Sequence, residues 1–351
     1  MHNRTWNRAQ CSIPNPKEAY LGLLRVAVES SGSEDKAKLG GYLRSRNIRG
    51  LIDWAASVNP QKYGSPHSYF EDASIAGLVK KVPFPPGVFD TGLTPRETAV
   101  EKFRSAEQRC KAFNSNYWKL RSDPVTLHAR RFIMDVIGES PNVTDILKDA
   151  LVPGGACIGV HGNKTNHARK LLARRWSCTP RARTYGYVMC GLNDKVVNIL
   201  TGSFMPTVAE FATSYASRVS EQRSNRVSFV PKTAKTMRSI AVEPFVNSML
   251  QGSVDKFLRG RLSSRAHLNL RDQSRNQRMA REGSLGGDNP YATIDLEAAS
   301  DTLSIGLVKL LLPTAWYAFL ADLRSDSYEL DGETRVYHKF LLDGKRVLLS
   351  A

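Results

Sequence analysis

Two aspartates near the end of the sequence, Asp295 and Asp301, have the surroundings of residues that bind a metal ion or a substrate. Residues 291–296 alternate between polar and apolar as a strand does, so Asp295 lies near the end of the predicted strand, on the face opposite its apolar residues. Asp301 opens a predicted helix that Pro313 ends, and Ser300 or Asp301 would cap it. A carboxylate at a strand end beside a helix start can hold a hard cation such as Mg²⁺ together with substrate phosphate oxygens. The residues alone leave two simpler roles open, Asp301 as a helix cap and Asp295 as a turn residue.

Three basic segments precede these aspartates, at residues 161–183, 218–238 and 256–281. The first has no acidic residue, and it contains Trp176 and ends just before Tyr185. Aromatic side chains beside cations suit stacking against unpaired bases. Any one segment is equally typical of a solvated helix face, but three in succession favour a polyanionic partner because clustered like charges repel one another.

The composition agrees with a polyanionic partner. The 351 residues include 50 Lys and Arg against 33 Asp and Glu, which gives a formal net charge of +17. With 41% hydrophobic residues the chain can bury a sizeable core, in more than one domain. No stretch approaches the roughly 18 apolar residues that span a bilayer, and no secretion signal opens the chain. The five cysteines lack CxxC spacing and indicate reduced thiols, so we expect a soluble protein that is not exported.

The elements that would position these residues are mainly helical in the first 150 residues. Residues 17–29 have helical spacing, and Thr94 opens a further helix as its cap, with Pro95 at the first helical position. Residues 153–155, Pro-Gly-Gly, break the helical pattern. No repeat of fixed period is visible, which argues against a solenoid.

A basic hairpin is predicted between residues 228 and 244. Two short runs with strand alternation flank a turn rich in Lys and Thr. After Pro244 apolar residues recur at helical spacing, so Lys256 and Arg259 on the opposite face of this helix would be free to meet phosphate.

Four motifs in a fixed order carry a family resemblance. They are VPKTAKTMRSIAVEP (230–244), LRGRL (258–262), RDQSRNQRMAREGS (271–284) and ATIDLEAASDTLS (292–304). With them the chain resembles the catalytic subunit of the RNA-directed RNA polymerase, or replicase, of levivirus-type single-stranded RNA bacteriophages. The resemblance covers about residues 228–340, and the upstream sequence is compatible with it.

The resemblance implies an α+β fold, a fragment of a right-hand polymerase with fingers and palm and a mainly helical N-terminal part. Residues 1–150 would form the N-terminal and fingers-associated helical region. Residues 151–290 would form the basic fingers region with its nucleotide-binding ribbon, and residues 291–351 the start of the palm. The thumb and the end of the palm would be missing from this chain.

The resemblance also implies roles for the acidic segment. Asp295 matches the catalytic carboxylate that binds metal, with the backbone carbonyl of Leu296 as a further metal contact. Asp301 matches the position near the ribose of the incoming nucleotide, where ribose is selected over deoxyribose. The implied cofactor is Mg²⁺ in a two-metal mechanism, with Mn²⁺ as the alternative.

The basic residues receive roles of two kinds. Lys232, Lys235 and Arg238 match the ribbon that grips the triphosphate, with Arg238 also implied in catalysis, and Glu243 would orient these cations. Contacts with the RNA template are expected from five arginines of the basic segments: Arg174, Arg175, Arg259, Arg275 and Arg278.

After Phe340 the sequence departs from the family pattern. A palm motif of the form Ser-x-Met-Gly-Asn-Gly-Phe should follow, and then a hairpin with a Gly-Asp-Asp metal-binding pair, but the chain reads LLDGKRVLLSA. If residues 343–348 are encoded GAT GGG AAA CGG GTT TTA, a shift of one base gives Met-Gly-Asn-Gly-Phe. We therefore hypothesise that a frameshift truncated the reading frame, which the nucleotide sequence tests.

Two functions of different classes remain open. The first is an RNA-directed RNA polymerase subunit that replicates a single-stranded RNA phage genome. The second is a template-binding fragment without catalysis, because one aspartate cannot hold two metal ions in the needed geometry. The ordered motifs disfavour a third, an unrelated basic RNA-binding protein of the ribosomal kind.

The resemblance implies partners and a location as well. The partners are a single-stranded RNA template, ribonucleoside triphosphates, host translation elongation factors and a ribosomal protein, with no membrane. The location is the cytoplasm of the bacterial host.

Overall fold

The computed structural model of the chain describes residues 15–81, 89, 91–150, 152–160, 166–286, 291–292, 294 and 298–340. Helices and small sheets occur together in these ranges, so the predicted α+β character is confirmed. The predicted metal contacts, Asp295 and Leu296, and the segment 341–351 lie outside the described residues. The chain divides into two compact units.

The first unit comprises residues 1–101 and 229–238. Apolar residues at helical spacing, such as Leu21 and Leu24, are buried together with residues of the following helices and form its core. The helix predicted at residues 17–29 is confirmed as the first of these. The helices are α1 (Pro16–Ser30), α2 (Lys36–Arg44), α3 (Ile48–Ser57) and α4 (Pro66–Lys81), with a 3₁₀ turn at Pro60–Lys62.

Helix α5 (Pro95–Asn114) begins in the first unit and continues into the second. Pro95 occupies the first helical position, as predicted, where a helix has no use for the N–H that proline lacks. The carbonyl of Thr94 accepts an early hydrogen bond of this helix from the Thr98 N–H at 3.0 Å.

The second unit comprises residues 102–228 and 239–351. Its core surrounds α12, which starts after Pro244 as predicted and buries Phe245 and Met249 on its inner face. The helices of this unit are α6 (Pro124–Ile137), α7 (Val143–Leu147), α8 (His167–Leu171), α9 (Arg183–Gly191), α10 (Asp194–Thr201), α11 (Val208–Arg218), α12 (Phe245–Arg265), α13 (Ser274–Ser284), α14 (Ile305–Leu311) and α15 (Thr314–Leu323).

Helix α14 is capped by Ser304, so the prediction of Ser300 or Asp301 as its cap was wrong. The Ser304 hydroxyl accepts a backbone N–H of the first helical turn at 3.0 Å. Ser304 has the extended backbone that a capping residue needs, whereas Asp301 lies in a separate 3₁₀ turn, Ala299–Thr302. The predicted end is confirmed, because Pro313 follows α14 and opens α15.

Six strands form two sheets within the described residues. The predicted basic hairpin is confirmed, because β3 and β4 are neighbours that flank residues 232–236. The strand order in the larger sheet is β4-β3-β5-β6, with β3 parallel to β5 and β5 antiparallel to β6. In the smaller sheet β1 is parallel to β2. The strands are β1 (Trp176–Cys178), β2 (Val219–Glu221), β3 (Ser224–Pro231), β4 (Met237–Val242), β5 (Ser327–Leu330) and β6 (Glu333–Val336).

The strand predicted for residues 291–296 is absent at the three of them that the structure describes, Tyr291, Ala292 and Ile294. Ile294 is 82% exposed, although the alternating pattern placed it on an apolar face. A strand forms only where a neighbouring strand completes its hydrogen-bond ladder. The alternating pattern does not reveal whether such a neighbour is present, and the prediction was wrong here for that reason.

The cysteines and helices of the described ranges bear on two further expectations. The described cysteines, Cys110, Cys157, Cys178 and Cys190, are free and buried, as expected of reduced thiols. Among the described residues no helix has both the length and the apolar character needed to cross a bilayer.

Candidate functional site

One face of helix α5 supplies a row of side chains to the candidate site in the second unit. Phe103, Glu107, Cys110 and Asn114 follow one another at intervals of four, three and four residues, so they line one side of the helix. Glu107 is buried, and its Oε2 accepts the His338 N–H at 2.7 Å. The amide nitrogen of Asn114 donates to the His338 carbonyl at 2.8 Å, and its oxygen accepts an N–H of α14 at 2.7 Å.

A short antiparallel contact fixes Lys339 beside the start of α14. Lys339 and Ser304 face each other in an isolated bridge. The side chain of Lys339 thereby enters the space between α5 and the 3₁₀ turn that carries Asp301. Two backbone hydrogen bonds flank the bridge: Phe340 N–H to the Leu303 carbonyl at 2.7 Å and Ile305 N–H to the His338 carbonyl at 3.0 Å.

Lys339 forms a buried ion pair with Asp301. Its side chain is only 2% exposed, and Nζ lies 2.9 Å from Asp301 Oδ1 and 3.8 Å from Glu107 Oε1. The ring centroid of Phe103 is 4.1 Å from the same nitrogen, which adds a cation–π contact. A buried ammonium is tolerated only when it is paired, and two carboxylates and an aromatic ring provide the pairing here.

Asp301 has one buried side and one open side. Its side chain is 34% exposed, and Oδ2 accepts no hydrogen bond from any residue that the structure describes. On the buried side the Cys110 thiol donates to the Asp301 backbone carbonyl at 3.6 Å. Burial raises the pKa of Cys110 to about 11, so the thiol keeps its proton near neutral pH. Because Asp301 Oδ2 has no hydrogen-bond partner among the described residues and the side chain is partly exposed, this oxygen can accept a hydrogen bond from a ligand.

Glu243 is buried and belongs to a polar network inside the second unit. Its Oε1 accepts from the Asn225 amide at 2.5 Å and its Oε2 from the Ser325 hydroxyl at 2.9 Å. The Tyr337 hydroxyl donates to Asn225 Oδ1 at 2.8 Å, and burial raises the pKa of Tyr337 well above its ordinary value. This structural role of Glu243 was not predicted from the sequence.

The ribbon cations belong to the first unit. The tip of the ribbon is anchored where the Ala234 N–H donates to the Lys80 carbonyl at 3.1 Å. Lys235 Nζ lies 2.8 Å from Asp53 Oδ1, and the hydrogen bond from Lys235 lowers the pKa of Asp53. Lys232 and Arg238 are exposed, and neither forms an ion pair within the described part of the chain.

The aromatic residues near the first basic segment do not serve as an exposed stacking surface. Trp176 is fully buried and packs edge to face against Phe245, with ring centroids 5.3 Å apart. Tyr185 packs against Phe319 in the same core. The prediction of base stacking at Trp176 was wrong, because the core of the second unit takes up this large apolar ring.

The arginines predicted to contact RNA differ in their surroundings. Arg174, Arg175, Arg275 and Arg278 are exposed. Arg259 is only partly exposed, and its Nε is 2.9 Å from both carboxylate oxygens of Asp255.

The prediction that Lys256 and Arg259 are free cations was wrong, because each is held in an ion pair. Lys256 Nζ is 2.8 Å from Asp149 Oδ2. The sequence signal for the Arg259 pair is the position of Asp255, four residues before Arg259 on the same helix. RNA binding by Arg259 stays a prediction, and it would require the arginine to exchange Asp255 for phosphate.

A metal site cannot be built from the described residues alone. Among them no three His, Cys, Asp or Glu side chains cluster closely enough to hold a metal ion, and the Asp301 carboxylate is already paired with Lys339. The predicted contacts, the Asp295 carboxylate and the Leu296 carbonyl, lie outside the described residues. Both are oxygen donors, the ligand type that suits a hard cation.

Sequence reasoning missed Glu107 and Lys339. The signal for Glu107 was present, because it is an acidic residue on a helix face that is otherwise apolar at Phe103 and Ala106. Lys339 offered no comparable signal, since its burial arises from the backbone bridge to Ser304, which lies 35 positions earlier in the chain.

The chain is similar to polymerase subunits of RNA bacteriophages. Residues 60–344 match the family described as RNA replicase, beta-chain. Over 294 residues the chain is 32% identical to the RNA-directed RNA polymerase subunit beta of Escherichia virus Qbeta, covering 81% of this chain and 45% of the relative.

Two further relatives agree in kind. The RNA-directed RNA polymerase subunit beta of Enterobacteria phage SP is 37% identical over 262 residues, which cover 71% of this chain and 41% of the relative. The RNA-directed RNA polymerase beta chain of Escherichia phage MS2 is 46% identical over 110 residues, covering 31% and 20%. The chain therefore spans less than half the length of these relatives.

Proposed function

Because the chain belongs to the RNA replicase beta-chain family, we propose that it takes part in RNA-directed RNA synthesis from ribonucleoside triphosphates on a single-stranded phage RNA template. The observation that carries this proposal is the family match itself. It runs from residue 60 to residue 344 and includes both the basic ribbon and the Asp301 segment. The similar proteins of phages Qbeta and SP are named as RNA-directed RNA polymerase subunits.

The proposed architecture is that of fingers and the first part of a palm. Residues 1–150 form the N-terminal and fingers-associated region, residues 151–290 the basic fingers region, and residues 291–351 the start of the palm. The helical character of the described residues up to Leu147 and the basic β3–β4 ribbon support the first two of these regions, although the two compact units divide the chain at other positions.

The proposed role of the ribbon is to bind the triphosphate. Lys232 and Arg238 are exposed and so can exchange water for phosphate oxygens without first breaking a salt bridge. Lys235 would have to exchange the Asp53 carboxylate for a phosphate group. Both groups are anions, so the lysine would keep a partner of negative charge. In phosphoryl transfer such cations neutralise the charge that develops on the phosphate, which is the catalytic role proposed for Arg238.

The proposed role of Asp301 is to accept a hydrogen bond from the ribose of the incoming nucleotide. Its open oxygen and its partial exposure support this role. A charged acceptor binds a hydroxyl more strongly than a neutral one does. The arginines with exposed side chains, Arg174, Arg175, Arg275 and Arg278, are proposed to bind the template phosphates together with Arg259.

Asp295 and the carbonyl of Leu296 are proposed to hold a divalent cation, Mg²⁺ or Mn²⁺. When bound, such an ion lowers the pKa of an attacking hydroxyl and neutralises a departing pyrophosphate. The oxygen donors of the two residues suit a hard cation.

A second candidate function is template binding without catalysis. It is favoured by four exposed arginines of the basic segments, Arg174, Arg175, Arg275 and Arg278, because contacts between such cations and template phosphates need no bound metal ion. Under either function we propose the cytoplasm of an infected bacterium as the location. Host translation elongation factors and a ribosomal protein are proposed as partners.

RNA-templated nucleotide incorporation separates the two candidates. Three proteins are compared: this chain, its Asp295→Asn variant, and the chain completed with the remaining part of the phage SP relative. Incorporation by this chain that Asp295→Asn abolishes supports the polymerase, and incorporation only by the completed chain supports the binding fragment. Incorporation by this chain that Asp295→Asn leaves unchanged would show that the metal assignment is wrong.

A further inference from the structure

We propose that Lys339 is a positioning residue for Asp301. Lys339 holds one carboxylate oxygen of Asp301 in place, so that the other oxygen faces the ribose of the nucleotide. Lys339 would thereby contribute to the selection of ribonucleotides over deoxyribonucleotides. The inference rests on the nucleotide-binding function proposed for Asp301, and it adds the group that orients this carboxylate.

Asp301 needs a partner that fixes the orientation of its carboxylate. The terminal torsion of an aspartate is broad, so a partly exposed carboxylate can turn either oxygen toward solvent. The Lys339 ammonium, 2.9 Å from Oδ1, stabilises one orientation by a charge-assisted hydrogen bond. Oδ2 is then the oxygen available to a ligand, and among the described residues it has no hydrogen-bond partner.

Lys339 is itself held in a fixed position. A flexible lysine at the surface would lose side-chain entropy on pairing and would orient nothing. Here the side chain is 2% exposed, its ammonium lies over the Phe103 ring, and its backbone is bridged to Ser304. Glu107, the second carboxylate near Nζ, is tied down by the N–H of His338.

The net charge around Asp301 favours a ligand that donates a hydrogen bond. One ammonium faces two carboxylates, those of Asp301 and Glu107, so the three groups carry one net negative charge when all are ionised. A hydroxyl that donates to this cluster is favoured, whereas a C–H at the same place leaves the carboxylate without a partner. Sites that hydrogen-bond a substrate hydroxyl discriminate strongly against the analogue that lacks it.

The test compares the affinity of the full chain for ATP and for 2′-deoxy-ATP by calorimetry in the presence of Mg²⁺. The discrimination ratio is the Kd for 2′-deoxy-ATP divided by the Kd for ATP. Asp301→Asn is expected to lower this ratio by about tenfold, because the asparagine oxygen stays with Lys339 and its amide faces the ligand. Lys339→Met is expected to lower it by about threefold or more.

Two further variants make the result specific. In the Asp301→Asn background, Lys339→Met should cause no additional loss, because a residue that acts through Asp301 has nothing left to orient. Lys148→Met is the matched control: Lys148 Nζ also lies 2.9 Å from an aspartate, Asp145, but at an exposed position. Its discrimination ratio should equal that of the unchanged chain.

The outcomes distinguish failure of the inference from failure of the proposed function. A ratio that Asp301→Asn leaves unchanged contradicts the proposed role of Asp301. A ratio that falls with Asp301→Asn but not with Lys339→Met overturns the positioning role alone. The positioning role is also overturned if Lys339→Met lowers the discrimination ratio equally in the unchanged chain and in the Asp301→Asn variant. If circular dichroism shows that the Met variant is unfolded, Lys339→Arg replaces it. That variant keeps the charge but moves the donor atoms, and an unchanged ratio would then overturn the inference.

Discussion

Two lysine–aspartate pairs of nearly equal length occupy opposite environments in this protein. Lys235 and Asp53 are 2.8 Å apart at the ribbon, with side chains 43% and 49% exposed. Lys339 and Asp301 are 2.9 Å apart beside helix α5, with side chains 2% and 34% exposed. Distance alone would rank the two pairs as equals.

The difference in burial gives the pairs different uses. An exposed pair gains little from its attraction, so its lysine can leave the aspartate for the phosphate of a ligand. A buried ammonium that loses its partner leaves a charge without compensation, so its pair stays together and fixes geometry. Lys235 at the ribbon is therefore suited to exchange Asp53 for a phosphate group. Buried Lys339, between Asp301 and Glu107, is suited to hold the Asp301 carboxylate in place.

The largest expected effect is that of Lys339→Met on stability. Removal of the ammonium leaves Glu107 buried beside Asp301 without a counter-charge. We expect a loss of about 3 kcal/mol in the free energy of unfolding, the lower end of the range for a broken buried pair, because Asp301 can rehydrate. Urea unfolding followed by circular dichroism measures it.

The matched control for this prediction is Lys148→Met, whose pair with Asp145 has the same 2.9 Å length but is exposed. The control variant should unfold at the same urea concentration as the unchanged chain. Equal midpoints for both variants would contradict the distinction between the buried and the exposed pair.

Arg238→Met is expected to impair ligand binding without lowering stability, unlike Lys339→Met, for which a loss of stability is expected. Arg238 is exposed at the ribbon, so its loss should change the free energy of unfolding by less than about 0.5 kcal/mol. The affinity for ATP should fall about tenfold, the value of one charge-assisted hydrogen bond to phosphate. Calorimetric titration measures the affinity, and an exposed arginine outside the basic segments, Arg25, provides the control as Arg25→Met. A loss of stability without a loss of affinity would place Arg238 among the structural cations.

Tyr337→Phe tests whether the loss of one buried hydrogen bond near Lys339 lowers the free energy of unfolding. The variant removes the hydroxyl that donates to Asn225 and leaves that buried amide oxygen without this hydrogen bond. We expect a loss of about 1 kcal/mol in the free energy of unfolding, measured in urea. Tyr317 lies in the same unit, and its hydroxyl makes no hydrogen bond to any described residue, so Tyr317→Phe should have a smaller effect. Equal effects would assign the loss to packing.

The sequence allowed the prediction of elements whose signals are local. The α5 start at Pro95, the α12 start after Pro244 and the hairpin of β3 and β4 each depend on a few adjacent residues, and all three are confirmed. The strand proposed at 291–296 depends on a neighbour from elsewhere in the chain, and it is absent at Tyr291, Ala292 and Ile294. Local periodicity carries no information about that neighbour.

The candidate site follows the same division. Asp301 was found because its motif is contiguous, and its predicted role in nucleotide binding stays a prediction. Its partner Lys339 is 38 residues away in sequence, and Glu107 is nearly 200 residues away. The sequence shows which side chains carry charge, but burial decides which charges are paired, and burial here results from contacts between distant segments.

The smallest expected effect concerns the exposed pair and depends on pH. The hydrogen bond from Lys235 lowers the pKa of Asp53 below its ordinary value, so folding favours the charged carboxylate. The pair therefore stabilises the first unit above the unfolded pKa of about 4, and the contribution disappears as the pH falls through the lower folded value. A double-mutant cycle of Lys235→Met with Asp53→Asn should give a coupling of about 0.2–1 kcal/mol at neutral pH. Measured by urea unfolding, this coupling should decrease in about 1 M salt, because exposed charges are screened. A coupling as large as the loss predicted for Lys339→Met would show that exposure does not separate the two pairs.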